Sequence, residues 1–121
     1  MKLSFIVLFL SVVMLAMGSC ISDAGPQEED LIGKWKVVFA QRNGKMTELV
    51  NGVTFTFDDK GSMKTDMPGV DGTGAFTLED QILVHHGKSE VLYNLNKLTR
   101  DSMQLAVDLQ ELNFVLNLVR Q

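Results

Sequence analysis

Apolar and polar residues mostly alternate from Leu31 to the end of the chain, and turn-forming residues interrupt the alternation about every ten positions. In residues 53–57, for example, one valine and two phenylalanines alternate with two threonines. A period of two places every second side chain on the same face of a β-strand. The pattern therefore predicts an all-β domain over residues 31–121, and no segment within it has a convincing helical period.

Breaks rich in glycine, asparagine, aspartate and proline divide this domain into eight predicted strands. The strands cover residues 31–40, 52–58, 62–66, 73–78, 81–86, 89–98, 102–109 and 111–120. Eight short antiparallel strands with hairpin connections and no crossover helix bury one face by closing into an up-and-down barrel. A sandwich of two sheets fits the same pattern and is the alternative.

The alternation assigns bulky side chains to the inward face of this barrel. They are Trp35, Val37, Phe39, Val53, Phe55, Phe57, Phe76, Leu78, Tyr93, Leu105, Val107, Phe114, Leu116 and Leu118. An eight-stranded barrel is just wide enough to be filled by side chains or to hold one small ligand. We expect these side chains to fill most of the interior, so that any ligand site is shallow and lies near one end.

A different pattern precedes the β domain. Residues 3–19 carry no charge, follow a single basic residue and end in two small residues immediately before Cys20, the only cysteine of the chain. This order is typical of a bacterial lipoprotein signal peptide, which is cleaved before Cys20 and leaves a lipid on its thiol. An uncleaved anchor helix over residues 3–22 and ordinary signal peptidase cleavage after residues 16–18 are the alternatives.

The sequence thus predicts a signal peptide at 1–19, a lipidated cysteine with an acidic flexible tether at 20–30, and the β domain at 31–121. The tether has a glycine, a proline and four acids, and no large apolar residue follows Ile21 within it. Removing the first 19 of the 121 residues leaves 102, an ordinary length for one domain. The removed segment holds one lysine and no acid, so the formal charge moves from −4 to −5.

Gly33 and Trp35 open the first predicted strand as Gly-Lys-Trp, and residues 54–62 read TFTFDDKGS. In these segments the chain resembles the lipocalin-like (calycin) group, and most of all the small lipocalin-like lipoproteins of Bacteroidota. The resemblance covers about residues 31–120. It implies a barrel with an arginine over the first-strand tryptophan at its closed end. The chain is shorter than a full lipocalin and lacks that family's C-terminal helix, so a deep ligand cup is not implied.

The resemblance also implies an outer-membrane location, and the acids at 28–30 resemble the stretches that direct some lipoproteins of this group to the outer surface. A solvated tether is the alternative reason for these acids.

Strand direction leads independently to a partner for Trp35. If successive strands run up and down, the first strand begins at the end of the barrel where the eighth finishes. Trp35 and Arg120, the only arginine of the final strand, then approach each other. A guanidinium over an indole face contributes about 0.5–2 kcal/mol. The alternative is that Trp35 is ordinary core and Arg120 a solvated terminus.

The opposite end of the barrel gathers the loops 41–51, 67–72, 86–88 and 110–111, and the length of the first makes this end the expected mouth. The candidate mouth residues are Arg42, Met46, Met63, Met67, Val70, His85 and His86. Methionine adapts its shape to irregular apolar partners, although it also fills gaps in small cores.

Charge and composition argue against several classes of function. The chain is mildly acidic and has no stripe of lysine and arginine, so we expect no nucleic-acid partner. His85 and His86 are adjacent on a strand and therefore point to opposite faces, so we expect no metal site and no cofactor. No nucleophile elbow is present, and we expect no catalytic residues and no enzymatic activity.

Two functions remain. The first is binding of a small apolar or amphipathic ligand at the mouth. The second is an interaction module that docks on an outer-membrane protein complex or inhibits a secreted enzyme, through its loops or the face of Thr54, Thr56, Lys64 and Asp66. A roomy interior would favour the first, and a packed interior with an exposed apolar patch would favour the second.

Overall fold

The computed structural model describes residues 25–70 and 72–121. The predictions of a signal peptide and of lipidation at Cys20 lie outside the described residues. One short helix and nine strands follow in chain order: α1 (Glu28–Leu31), β1 (Gly33–Arg42), β2 (Lys45–Thr47), β3 (Thr54–Phe57), β4 (Ser62–Thr65), β5 (Thr73–Glu79), β6 (Ile82–His86), β7 (Glu90–Leu98), β8 (Ser102–Leu109) and β9 (Leu112–Arg120). No helix within the described ranges has the length and hydropathy needed to cross a membrane.

Eight of the strands close into a barrel, because β1 pairs with β3 on one side and with β9 on the other. Every neighbouring pair is antiparallel, and β3 to β9 follow one another in chain order. The remaining strand, β2, is not part of the closed barrel and pairs only with the last three residues of β1. The structure thus confirms the predicted up-and-down barrel in place of a sandwich.

The two ends of the barrel are different. The closed end is where β1 begins and β9 finishes, and it carries the turns 58–61, 80–81 and 99–101. The mouth is the other end, where the β1–β2 hairpin and the loop before β3 lie.

The sequence pattern does not predict α1, which overlaps the last residues of the predicted flexible tether. Its first turn closes by two hydrogen bonds between Gln27 and Asp30, one from the Gln27 N–H to the Asp30 carboxylate at 3.0 Å. Glu28 accepts a hydrogen bond from the N–H of Leu78 on β5, also at 3.0 Å. Leu31 is fully buried. The helix is therefore attached to the barrel by tertiary contacts, which residue periodicity does not reveal.

The interior is packed with aromatic and aliphatic side chains. Phe55 and Tyr93 meet edge to face with ring centroids 5.7 Å apart, and Phe57 and Phe76 do so at 5.1 Å. Such edge-to-face pairs are the favoured geometry of aromatic rings in cores. Most of the side chains predicted to point inward are buried, although Leu78 is only partly so.

Phe39 is predicted to point inward, and the structure contradicts this prediction. The register between β1 and β9 shifts between Val37 and Phe39, so that strand β1 has an extra residue at this point. A β-bulge of this kind resets the alternation of side chains. Val38 and Phe39 are both 45 % exposed, and Ala40 takes the inward position with no exposure.

Candidate functional site

Trp35 and Arg120 meet at the closed end of the barrel. They are direct partners in the register of β1 and β9, and the guanidinium carbon lies 4.2 Å from the centroid of the indole. The indole is fully buried, and its Nε1 donates a hydrogen bond to the carbonyl of Leu31 at 2.9 Å. This arrangement seals the closed end.

Arg120 also donates hydrogen bonds to three backbone carbonyl oxygens. Nε reaches Arg100 at 2.7 Å, Nη1 reaches Ile32 at 2.6 Å and Nη2 reaches Asp30 at 3.0 Å. These carbonyls belong to the turn between β7 and β8 and to the segment around α1. The Arg120 side chain therefore joins this turn and this segment to the last strand at the closed end. This role is structural.

Gly33 is required by the position of Arg120. A Cβ atom at residue 33 would lie 2.6 Å from Nη1 of Arg120, and the residue has φ = +132°. A side chain would meet both steric conflict and an unfavourable backbone conformation. Glycine, tryptophan and arginine thus form one packing unit.

The predicted mouth residues do not form a single site. Met63 is buried and pairs with Phe57 next to the turn at 58–61, so it lies toward the closed end. The reason is that β4 starts at the closed end and has only four residues, of which Met63 is the second. Met67 and His85 are buried toward the mouth, and Val70 is partly buried against the core.

His86 lies on the outer wall of the barrel. Its Nε2 is 3.1 Å from the hydroxyl of Thr77, and its Nδ1 is 3.7 Å from a carboxylate oxygen of Glu90. The adjacent His85 is buried. The two histidines therefore face opposite sides of the strand, as their positions in the sequence predict. No group of histidine, cysteine and carboxylate side chains suited to a metal ion occurs among residues 25–70 and 72–121.

Arg42 and Met46 come together on the hairpin that joins β1 to β2. Arg42, Asn43, Lys45, Met46 and Thr47 line a concavity of about 350 Å³ at the rim of the mouth. Sequence reasoning singled out Arg42 and Met46 but missed Lys45. The Asn-Gly pair at 43–44 is the signal that could have found it, because this dipeptide forms two-residue hairpins and places residues 42 and 45 opposite each other.

A larger concavity of about 750 Å³ lies at the closed end, between the segment before β1 and the turn after β7. Pro26, Asp30, Leu98 and Arg100 are among its lining residues. Sequence reasoning does not predict this groove, because the groove depends on the tertiary position of α1.

The Tyr93 hydroxyl is a polar group of the interior that sequence reasoning did not consider. Tyr93 has no exposed surface, and its hydroxyl makes no hydrogen bond within the described part of the chain. Loss of solvation through burial raises the pKa of this phenol above its ordinary value. The hydroxyl therefore stays protonated in an apolar setting.

These features define a lipocalin-like barrel, closed at one end by a tryptophan and an arginine. Among solved structures, the chain is similar to a lipocalin-like protein from Bacteroides uniformis ATCC 8492, with a TM-score of 0.57 and 16 % sequence identity. The match covers 76 % of this chain and 99 % of the other. No protein-family model and no curated protein match the sequence. At this identity the likeness shows the fold alone.

Proposed function

We propose that the protein is a lipid-anchored binding module of the outer membrane that binds a small apolar or amphipathic ligand at the barrel mouth. One observation carries the ligand proposal. Among residues 25–70 and 72–121, Met46 and Leu49 are the most exposed of the large apolar side chains at 66 % and 65 %, and both lie in the mouth segment that follows β1. Exposed apolar groups beside a concavity are typical of a binding surface.

The packed interior supports a site on the rim. The aromatic pairs formed by Phe55 with Tyr93 and by Phe57 with Phe76 occupy the space that a deeply bound ligand would need. The closed end is blocked by Trp35 beneath Arg120. The concavity of the β1–β2 hairpin is at the mouth and next to Met46.

Binding can be tested by titrating the mature protein with a neutral naphthylamine dye whose fluorescence rises in apolar surroundings. Leu49→Ser should weaken dye binding, because it removes apolar surface at the mouth. Leu92→Ser is the matched control, since Leu92 is also exposed but lies on β7 in the outer wall. An equal loss in both variants, or no dye binding by the unaltered protein, would contradict a mouth site.

The anchoring proposal rests on the signal-peptide pattern that ends at Cys20. The segment before β1 crosses the closed end, where Arg120 holds the carbonyls of Asp30 and Ile32. A lipid on Cys20 would thus attach the barrel by its closed end and leave the mouth free.

Anchoring can be tested in cells given a palmitate analogue. The wild type should be labelled and should partition into detergent. Cys20→Ala should not be labelled, and it should either be released from the membrane or remain unprocessed. Membrane retention of a fully processed Cys20→Ala protein would contradict the proposal.

The bulge in β1 supports a second candidate function, docking of the outer wall on an outer-membrane protein. It turns Val38 and Phe39 toward solvent, and Asn117 is the cross-strand partner of Phe39. A photoreactive residue at position 39 should then form a defined adduct in intact cells, whereas one at the exposed position 97 on β7 should not. Identical adducts from both positions would argue against this function.

A further inference from the structure

Arg42 and Lys45 are direct cross-strand partners at the end of the β1–β2 hairpin. Like charges placed opposite each other on antiparallel strands destabilise the pair. Both side chains are exposed, and neither takes part in an ion pair within the described part of the chain. The hairpin therefore carries two adjacent cations that form no ion pair with any described carboxylate, in a chain of net charge −4.

The hairpin that carries these cations is fixed in position. Asn43 and Gly44 have φ of 51° and 82°, the left-handed conformation of a tight two-residue turn. The N–H of Asn43 donates to the carbonyl of Asn113 at 2.8 Å, and the N–H of Asn113 donates to Oδ1 of Asn43 at 2.9 Å. The turn is thus attached to the start of β9. A site built on it loses little conformational freedom when a ligand binds.

The rest of the concavity fits a molecule with one charged end. Asn43 and Thr47 add polar groups to the two cations. Met46 follows Lys45 on β2 and therefore adds an exposed apolar side chain on the other face of this edge strand. A guanidinium binds the two oxygens of a carboxylate or phosphate side by side, and an ammonium adds a compact point charge. A thioether offers an adaptable apolar contact.

We propose that Arg42 and Lys45 form an oxyanion site that binds the carboxylate or phosphate headgroup of an amphipathic ligand, with its apolar chain crossing the free edge of β2 to reach Met46 on the opposite face. The proposal rests on ligand binding at the mouth and adds the chemical class of the ligand. A neutral amphiphile would bind to the apolar part of the site alone.

Calorimetric titration of the mature protein with decanoate, decyl phosphate, decanol and inorganic phosphate tests this site. The decyl anions should bind about tenfold more tightly than decanol, because each gains charge-assisted hydrogen bonds. The preferred decyl anion distinguishes a carboxylate from a phosphate ligand, and binding of inorganic phosphate shows whether the headgroup is sufficient without a chain. Added salt should weaken binding of the anions and not of decanol.

The double variant Arg42→Gln with Lys45→Gln should remove the preference for anions and leave the affinity for decanol unchanged. The control Lys36→Gln with Lys64→Gln removes two exposed lysines from the outer face of β1 and β4, and should leave every affinity unchanged. Equal affinities of the wild type for decanol and the decyl anions, or an equal loss in the control, would overturn the oxyanion site while ligand binding at the mouth stands. Failure of all four probes to bind would overturn both.

Discussion

The guanidinium of Arg120 lies over the indole of Trp35, 4.2 Å from its centroid, and joins the last strand of the barrel to the first. The same guanidinium donates to carbonyl oxygens of Asp30, Ile32 and Arg100. A single cation thus connects the last strand to the segment before β1 and to the turn between β7 and β8. We expect the stability of the closed end to depend on this contact more than on any other surface interaction.

The coupling between these two residues can be measured by urea denaturation. Trp35→Ala should lower the free energy of unfolding by about 3–5 kcal/mol, because it removes a fully buried aromatic side chain. Arg120→Ala should lower it by about 2–3 kcal/mol, through loss of the cation–π contact and the hydrogen bonds to carbonyls. The double variant should show an interaction energy above about 0.5 kcal/mol, as expected for residues in contact.

Arg100→Ala is the control for this cycle. Arg100 contributes its backbone carbonyl to Arg120 and is itself exposed, so its truncation should cost less than about 0.5 kcal/mol. Strictly additive losses at positions 35 and 120 would show that the contact carries no coupling energy.

Gly33→Ala should be destabilising for a reason that depends on Arg120. The new Cβ would lie 2.6 Å from Nη1 of Arg120, and φ is +132°. We expect a loss of about 2–4 kcal/mol, of which the backbone conformation alone accounts for about 1–2 kcal/mol. Gly44→Ala provides the comparison, because its φ is +82° and nothing lies within 4 Å of the added Cβ.

The loss at Gly33 should become smaller when Arg120 is also replaced by alanine, whereas the loss at Gly44 should not change. The same loss at Gly33 with and without Arg120 would mean that steric conflict plays no part.

The barrel and its closed-end pair were predictable because both follow from the alternation of residues and from strand direction. The period of two places Trp35 inward, and eight antiparallel strands bring Arg120 to the same end. Phe39 was not predictable, because the bulge depends on the pairing of β1 with β9, and the run of four apolar residues at 37–40 does not show which of them point inward. The rim site depends on Lys45, which the Asn-Gly turn places opposite Arg42.

α1 was missed for a different reason. Four residues are too few to form a stable helix by themselves, and this one is fixed by the hydrogen bond from Leu78 to Glu28 and by burial of Leu31. Contacts between residues far apart in the chain decide such an element, so composition alone suggested a flexible tether.

Glu111→Gly should stabilise the protein. Gln110 and Glu111 form the turn between β8 and β9 with φ of 51° and 69°, a conformation that is unfavourable for residues with a side chain. Glycine adopts it without this cost, and we expect the free energy of unfolding to rise by about 0.5–1 kcal/mol. Glu90→Gly, at the start of β7, should have the opposite effect, because glycine weakens a strand. A lower free energy of unfolding in both variants would show that the turn is not strained.

Tyr93→Phe should also stabilise the protein near neutral pH. The fully buried hydroxyl has no hydrogen-bond partner among the described residues, and an unsatisfied buried hydroxyl costs about 1–3 kcal/mol. Phenylalanine keeps the ring that packs edge to face on Phe55. We expect thermal or urea unfolding to show a gain of about 1 kcal/mol. A loss of stability would instead reveal a partner for the hydroxyl, such as a bound water molecule or ligand.

The stabilities of wild type and Tyr93→Phe should differ further at alkaline pH. Burial raises the pKa of the Tyr93 phenol in the folded state, whereas the unfolded chain has the ordinary value near 10. Because the folded pKa is the higher one, the unfolded state loses its proton first, and the stability of the wild type falls as the pH rises above about 10. At about pH 11 this costs the wild type roughly 1.4 kcal/mol relative to Tyr93→Phe. Tyr93 is the only tyrosine, so phenolate absorbance reports its ionisation directly. If the difference in the free energy of unfolding between wild type and Tyr93→Phe stays constant through this pH range, the raised pKa is contradicted.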